Sequence, residues 1–136
     1  MGDHDVQKRG DSVSSLAPFL LKATKIEANH ARLNVLTNTL SFQSATIEGM
    51  HIARTADGHT MSIASGGVVT VGQTKIQTTV LRNLASIGSF RNKRDVLLLL
   101  AGSTLPRLEL SRVEFTIDGY LTTSHADIPV MTLSMT

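Results

Sequence analysis

The densest charge feature of the sequence is a group of four basic residues, whose chemistry would be anion binding. Arg91, Lys93 and Arg94 are nearly consecutive, and Arg82 lies one predicted helix upstream. Such a cluster concentrates positive potential, and the sequence pI of about 9.3 agrees with an acidic partner such as a nucleic acid. The net charge is only +2, however, and no aromatic platform for base stacking accompanies the cluster. The alternative interpretation is a solvated turn between two apolar segments.

A second group, near the C-terminus, contains the three residue types of a hydrolytic triad. Ser124, His125 and Asp127 lie in a segment of β character. Adjacent side chains on an extended strand point to opposite faces, so Ser124 and His125 could not form a hydrogen bond as nucleophile and base. The sequence also has no G-x-S-x-G motif. We therefore interpret these residues as polar side chains near a strand end.

The remaining candidates for chemistry are histidines, which are scattered without the spacing of a metal site. His51 and His59 flank Asp57-Gly58, so they could approach each other across a hairpin and form a weak surface metal site. Ordinary surface polar residues are the simpler interpretation. The chain has no cysteine, which excludes thiolate ligands and cysteine nucleophiles. From these residues we expect a protein that is not an enzyme and that has no cofactor and no metal ion.

The composition favours an extended β protein. The chain has 136 residues, close to the size of one domain, of which 41% are hydrophobic and 4% aromatic. Its 16 threonines and 13 serines outnumber its 24 charged residues. Small hydroxyl residues with few large side chains are typical of shallow-cored β structure rather than of a compact enzyme. No run approaches the roughly 18 apolar residues of a membrane-spanning helix, and we expect no secretion signal because the N-terminus lacks an apolar segment.

The first 15 residues predict a flexible N-terminal arm, and residues 16–136 predict a single β-rich domain. The arm mixes both charge signs with small polar residues, a composition too polar to fold alone. We expect the arm to reach a neighbouring subunit. The contacts would come from its isolated apolar side chains and its charges, namely Val6, Lys8, Arg9, Asp11 and Val13.

Secondary structure is predicted to begin directly after the arm. A serine before Leu16 and an early Pro18 predict a short helix over residues 16–21. Thr, Ile and Val then alternate with polar residues, which predicts strands near residues 32–42 and 45–54. Such short strands bury little area each and need neighbours.

Turn signals between the strands predict a meander over residues 45–78. Asp57-Gly58 is a hairpin signal, because both residue types tolerate positive φ. Glycines repeat the signal at residues 66–67 and 72–73, and Asp118-Gly119 repeats it near the C-terminus. In a meander, each strand pairs with its neighbour in sequence.

Residues 79–102 interrupt the β pattern and predict a helical insert. Apolar residues at helical spacing end near Gly88, and a second helix is predicted from Asn92 to Gly102. Residues 96–100 are five consecutive aliphatics, which would also suit a buried strand. The predicted fold class is therefore mainly β, as a short-strand meander or sandwich with a helical insert near residues 79–102, and α+β is the alternative.

After the insert, strand alternation returns in the segment RLELSRVEFTI. Its apolar residues occupy alternate positions, but the parity changes at Ser111-Arg112, which predicts a bulge or bend. The residues that define the two parities are Leu108 and Leu110, then Val113, Phe115 and Ile117.

The composition and turn pattern of residues 44–78 resemble those of β-rich structural proteins of viruses and tailed phages, of the spike, fibre and decoration types. The stretch is SATIEGMHIARTADGHTMSIASGGVVTVGQTKIQT. Those proteins use short strands rich in Thr, Ser and Val, join them with glycine turns and bury small side chains between subunits. The resemblance implies a non-enzymatic structural protein that self-assembles. The apolar insert at residues 79–102 departs from a pure fibre and favours a compact β domain.

The resemblance also implies partners and a location. The expected partners are identical subunits, in a homotrimer, and other proteins of the particle, with no membrane. The expected location is the virion, after assembly in the host cytoplasm. Sparse charges along the short strands support self-assembly, because a lone β domain normally protects its edges with charged residues. The alternative function is a cytoplasmic binding module that recognises nucleic acid or an anionic partner through the basic cluster.

Overall fold

Twelve strands, a 3₁₀ segment and one α-helix make up the part of the chain that the structure describes. The computed structural model describes residues 13–16, 18–90 and 92–135, with side chains for all of these except residues 13–16 and 84–86. The fold is mainly β with a helical insert, which confirms the predicted class. In chain order the elements are β1 (Val13–Leu16), β2 (Phe19–Asn34), β3 (Thr39–Phe42), β4 (Ser44–Glu48), β5 (His51–Ala56), β6 (His59–Ser65), β7 (Val69–Val71), β8 (Thr74–Gln77), the 3₁₀ segment (Thr79–Ser86), α1 (Lys93–Leu100), β9 (Leu105–Ile117), β10 (Tyr120–Thr123), β11 (Ala126–Asp127) and β12 (Met131–Met135).

The sheet is organised around β2, which is paired along both of its edges. On one edge β9 runs antiparallel to it from Phe19 to Ala31. On the other edge β3, β4 and β5 pair with it one after another in a single register. These three strands therefore act as one long strand, interrupted at residue 43 and at residues 49–50.

The sheet curves until it nearly closes on itself. Its strand order on one path is β1–β10–β8–β3–β2, and two branches continue from β2 as β4–β7–β11 and β5–β6–β12. β1 directly precedes β2 in the chain, yet it pairs with β10 at the opposite end of the path. Side chains from most of the strands, from α1 and from the 3₁₀ segment meet in one apolar core, in which Leu99, Leu108 and Ile117 are fully buried.

The parity change predicted in β9 is confirmed. Leu110 and Val113 are both buried, so the buried face switches between them. Arg112 makes the switch with a left-handed φ of 51°, which costs a non-glycine residue about 1–2 kcal/mol. Ser89 forms two hydrogen bonds at this parity change. Its carbonyl accepts one from the backbone N–H of Ser111 at 2.7 Å, and its Oγ donates one to the carbonyl of Arg112 at 3.2 Å.

The insert contains the predicted second helix, and the alternative of a buried strand is wrong. Asn92 caps α1, because its side-chain oxygen accepts a hydrogen bond from the backbone N–H of Arg94 at 3.0 Å. Gly102, with a φ of 85°, follows the end of the helix. Val96 and Leu99 face the core, which is the helical spacing of three residues and not the alternation of a strand. The first predicted helix is the 3₁₀ segment, which breaks at Asn83.

Asp118 anchors the start of the 3₁₀ segment. Its carboxylate accepts hydrogen bonds from the hydroxyl of Thr79 and, at 2.9 Å, from the backbone N–H of the same residue. The hydroxyl bond is the larger cause, and the two bonds together hold the pKa of Asp118 below its ordinary value of 3.8. The ionised carboxylate therefore stabilises the junction between β9 and the insert.

We expect Asp118→Asn to lower the thermal stability at neutral pH. Because the folded-state pKa lies below the unfolded one, the contribution of Asp118 is present above about pH 4 and is lost as the pH falls through the folded pKa. The difference in Tm between the parent and Asp118→Asn should therefore become smaller in acid. Circular dichroism measures it across about pH 2.5 to 7, a range that includes the ordinary pKa values of carboxyl groups. Asp127→Asn, at the exposed end of β11, controls for the loss of one negative charge. A difference in Tm that stays constant in acid would contradict the stabilising role of the ionised Asp118 carboxylate.

The short helix predicted over residues 16–21 is wrong. Residues 13–16 form β1, and Phe19–Leu21 lie in β2, paired with β9 on one side and largely with β5 on the other. Phe19 and Leu21 are buried on one face of the strand. Partners that are distant in sequence therefore override the local helical signal, as is common for short apolar segments.

The single strand predicted over residues 32–42 is also wrong, because the chain reverses inside it. Residues 35–38 form the turn between β2 and β3. The side-chain oxygen of Asn34 accepts hydrogen bonds from the backbone N–H groups of Leu36 and Thr37, at 3.0 and 3.3 Å. An asparagine that bonds to backbone N–H groups ahead of it is a turn signal.

Of the predicted hairpins, Asp57-Gly58 is confirmed, since it joins β5 and β6 as direct partners. The turns at residues 66–67, 72–73 and 118–119 do not join paired strands. β7 pairs with β4 and β11, and both β8 and β10 take partners elsewhere in the sheet. A glycine turn changes the direction of the chain, but the burial of one face of each strand selects its partner.

Candidate functional site

The structure separates the predicted basic cluster into two elements. Arg82 is exposed on the 3₁₀ segment, and Lys93 and Arg94 are exposed in the first turn of α1. These two elements pack against each other. Arg91 lies outside the described residues.

Most of the predicted assembly arm also lies outside the described residues, namely Val6, Lys8, Arg9 and Asp11. Val13, the last residue of that set, begins β1 and is the partner of Thr123 in β10. The part of the chain that the structure describes thus begins with a strand of the sheet.

The histidines considered as a metal site lie apart. His51 is paired with Ala64 and His59 with Ala56, which places the two imidazoles on opposite faces of the β5–β6 hairpin. Within the described residues, no group of three or more His, Asp or Glu side chains could hold a metal ion. Ser124, considered with His125 and Asp127, accepts a hydrogen bond from the backbone N–H of Gln73 at 3.0 Å and so links the end of β10 to the start of β8.

A polar groove lies on the face of the sheet that β2, β3, β8 and β10 turn away from the core. Its volume is about 610 Å³. Most of its lining is polar or basic. The lining residues are His30, Arg32, Ser41, Phe42, Gln43, Gln73, Thr74, Lys75, Thr104, Thr122 and Ser124.

The strand register places the central side chains of the groove in one row. Arg32 in β2 is opposite Ser41 in β3, Ser41 is opposite Lys75 in β8, and Lys75 is opposite Thr122 in β10. Directly opposed residues of antiparallel strands share a face of the sheet. Thr104, just before β9, continues the row beyond Arg32 by the register of the β2–β9 pair.

The groove is basic. Arg32 and Lys75 are exposed and separated by one strand, so their Cα atoms are about 10 Å apart, which is two strand spacings. None of the described lining residues is Asp or Glu. The described residues form no ion pair with either cation. Arg32 and Lys75 therefore give this part of the surface a positive potential.

The nearest long strand pair shows the opposite arrangement, because its charges compensate each other. Glu27 in β2 faces Glu109 in β9. Arg107 binds the carboxylate of Glu27, and Lys25 Nζ lies 3.7 Å from Glu27 Oε1 and 3.9 Å from Glu109 Oε2. The hydrogen bond from Arg107, and then the charges of Arg107 and Lys25, lower the pKa of Glu27 below its ordinary value. This cluster stabilises the β2–β9 pair and offers little net charge.

His30, at the edge of the groove, has a strained backbone. Its φ is 55°, the left-handed region that a non-glycine residue seldom adopts. The buried face of β2 switches here, since Ala28 and Ala31 are both buried, as it does in β9 at Arg112. The sequence contains no local signal for this groove, because Arg32 and Lys75 are isolated single charges until the register aligns them.

A second surface, the methionine face, lies on the three-stranded branch β5–β6–β12. Met61 in β6 lies directly opposite Met135 in β12, and Ile63 lies opposite Leu133. Met131 lies two residues before Leu133, so its side chain is on the same face of β12. We define the methionine face by these five side chains. Leu133 and Met135 are 54% and 66% exposed. Within the described residues of β6 and β12, no side chain is buried.

The opposite face of the same branch carries hydroxyl groups. Ser62 and Ser134 form a hydrogen bond at 2.7 Å across β6 and β12, and Thr55 and Thr60 form one at 2.9 Å across β5 and β6. The branch is therefore amphipathic, and its apolar side is the methionine face. Among the described strands, β12 pairs only with β6, so its outer edge has no partner there.

Comparison of the chain with protein-family models, with curated proteins and with solved structures found no match. In the described part of the chain, no helix is both long enough and apolar enough to span a membrane.

Proposed function

We propose that the chain is a non-enzymatic structural protein of a virus or phage particle, which self-assembles into a homo-oligomer through the methionine face. The observation that carries this proposal is the exposure of that face on a branch with no buried side chain in β6 or β12. A contiguous apolar patch on a water-soluble surface is typical of an interaction site.

The energetics favour covering the methionine face. Each Å² of apolar surface removed from water contributes about 25 cal/mol, so the side chains of Leu133 and Met135 contribute most when they are buried. Methionine side chains are flexible, which lets Met61 and Met135 adapt to an opposing surface. A three-stranded branch of this size also needs packing on one face to be stable.

The occupant that suits this surface best is a second copy of the same chain. β12 consists of the residues MTLSM and carries no charge, so copies brought edge to edge or face to face do not repel each other. On the same face, the exposed Arg54 of β5 lies directly opposite Met61, so the apolar patch is bordered by a positive charge on that side. Around a three-fold axis, the apolar patch of each copy can pack against the patches of the two others.

Three subunits and a place in a viral or phage particle are supported by the resemblance of residues 44–78 to spike, fibre and decoration proteins. That stretch contains β4 to β8, which includes two of the five side chains of the methionine face, Met61 and Ile63. Under this proposal the further partners are other proteins of the particle, and the location is the virion.

The first test is the native mass of the full chain, measured by light scattering on a sizing column at low and high salt. We expect a trimer, with three times the 14.6 kDa of the chain, at both salt concentrations. Burial of apolar surface does not require opposite charges, so salt should not dissociate the trimer. A 14.6 kDa species at all protein concentrations would contradict self-assembly.

A substitution in the methionine face localises the interface. We expect Leu133→Asp to give a monomer, because an unpaired charge in an apolar interface costs several kcal/mol, on the order of the whole gain from burial. Leu36→Asp is the matched control, since Leu36 is 91% exposed in the β2–β3 turn, outside the methionine face. The control should keep the parent mass. If Leu133→Asp also keeps it while both variants remain folded by circular dichroism, the interface lies elsewhere.

A further inference from the structure

We propose that the polar groove binds an acidic polysaccharide, a sugar chain that carries sulfate or carboxylate groups. This inference goes beyond self-assembly and does not depend on it. It rests on three properties of the groove, which are its charge, its length and the chemistry of its neutral lining.

The positive charge of the groove favours an anionic ligand. Arg32 and Lys75 stand on either side of Ser41 in one row, and the described lining has no carboxylate. Arginine offers planar, paired donors to an oxyanion, whereas lysine offers a mobile point charge. The two cations can converge on one anionic group above Ser41 or bind two groups of an extended ligand.

The length of the groove suits a chain rather than a single ion. The row from Thr104 to Thr122 crosses five positions of adjacent strands, which spans about 19 Å at the usual strand spacing. The volume of about 610 Å³ lies within the range of small-ligand sites. An extended ligand lying across the strands would contact the whole row.

The neutral lining matches sugar hydroxyl groups. Gln43, Gln73 and Ser124 form a second row beside the cations, and Ser41 and Thr122 add hydroxyl groups. Amide and hydroxyl side chains both donate and accept hydrogen bonds, as sugar hydroxyls do. A polysaccharide could thus be held by its acidic groups at the cations and by its hydroxyls along the rest of the groove.

The lining favours a polysaccharide over a single-stranded nucleic acid. Proteins that bind single strands combine cations with exposed aromatic rings on which bases stack. Phe42 is the one Phe, Tyr or Trp in the described lining, and it is only 7% exposed because it packs in the core. The exposed imidazole of His30, at the edge of the groove, is a single ring, so the described lining has no row of rings for successive bases.

The test is binding of the full chain to three probes, measured by fluorescence anisotropy and competition. The probes are a fluorescein-labelled sulfated hexasaccharide of the heparin type, an oligothymidylate with a matched number of charges, and inorganic sulfate. We expect the hexasaccharide to bind most tightly, with an affinity that falls as salt rises, because its contacts include ion pairs. We expect inorganic sulfate, at an equal sulfate concentration, to displace little of it.

The variants Arg32→Gln and Lys75→Gln should each weaken hexasaccharide binding, and together by about tenfold or more, because each removes a hydrogen bond from a charged group. Lys22→Gln is the matched control, since Lys22 is an exposed cation at the other end of β2. Thr122→Val removes a hydroxyl without changing the charge and should weaken binding of the hexasaccharide more than binding of sulfate.

Several outcomes would overturn the proposal. One is hexasaccharide binding by the Arg32→Gln/Lys75→Gln protein that equals the parent's, and another is a loss of binding in Lys93→Gln/Arg94→Gln that the groove variants do not show. Tighter binding of the oligothymidylate would identify a nucleic-acid site, and full displacement by inorganic sulfate would identify a site for a simple anion. Native mass is measured in parallel and should be unchanged in the groove variants, which separates this inference from self-assembly.

Discussion

Leu99→Ala is expected to lower the free energy of unfolding by about 3–5 kcal/mol, the largest effect of any single substitution considered for this protein. Leu99 is 0% exposed and lies on the face of α1 that packs against β2 and β9. Removing its side chain loses the transfer free energy of the buried methyl groups and leaves a cavity that the rigid strands cannot fill. The substitution therefore tests whether the helical insert belongs to the core of the sheet.

The matched control is Leu97→Ala in the same helix. Leu97 is 68% exposed, so the same change in volume should cost less than about 0.5 kcal/mol. Urea unfolding of both variants and the parent, at one fixed protein concentration, measures the difference, since assembly makes stability depend on concentration. Equal effects of the two substitutions would show that α1 does not dock as described.

Gly119→Ala is expected to destabilise the fold by about 3 kcal/mol through a backbone clash. A Cβ at Gly119 would lie 2.3 Å from the carbonyl oxygen of Gln77 and 2.9 Å from its carbonyl carbon. The same oxygen accepts a hydrogen bond from the backbone N–H of Gly119 at 3.1 Å, so the two segments cannot separate without losing that bond. Gln77 is held in β8 between β3 and β10, which leaves the carbonyl little freedom to move.

Gly88→Ala provides the control for this clash. A Cβ at Gly88 would meet nothing within 4 Å. The substitution should therefore be nearly neutral, or slightly stabilising because alanine restricts the unfolded chain. Thermal unfolding by calorimetry distinguishes the two variants. A Gly119→Ala protein as stable as Gly88→Ala would mean that the corner between β9 and β10 is not as tight as the structure indicates.

The two proposed surfaces lie toward opposite ends of β2, so one molecule can use both. Leu21 pairs with β5, which leads to the methionine face, whereas Arg32 lines the polar groove. The strand between these residues is about 36 Å long at 3.3 Å per residue. An oligomer assembled through the methionine face would thus leave the groove of each subunit open, and a repeated groove would raise the apparent affinity for a long polyanion.

Local sequence signals determined the elements whose stabilising contacts are also local. Asp57-Gly58 forms a hairpin because the two strands it joins pair directly. α1 begins after the asparagine cap at Asn92, and Gly102 follows its end, as the sequence predicts. The parity change at Ser111-Arg112 was also readable, because buried residues leave a period-two pattern on their own strand.

Only the tertiary structure decided which strands pair and which side chains share a surface. β2 begins at Phe19, inside a segment of helical pattern, because β9 and β5 supply the backbone partners. The sequence draws attention to a basic cluster of neighbours, yet the groove depends on Arg32 and Lys75, which the register of β2, β3 and β8 brings together. Sequence by itself thus determined the strand-rich class, the hairpin and the helix, whose signals lie within a few residues. The groove and the methionine face needed the fold, because partner choice in a sheet depends on the burial of whole faces and on contacts between distant segments.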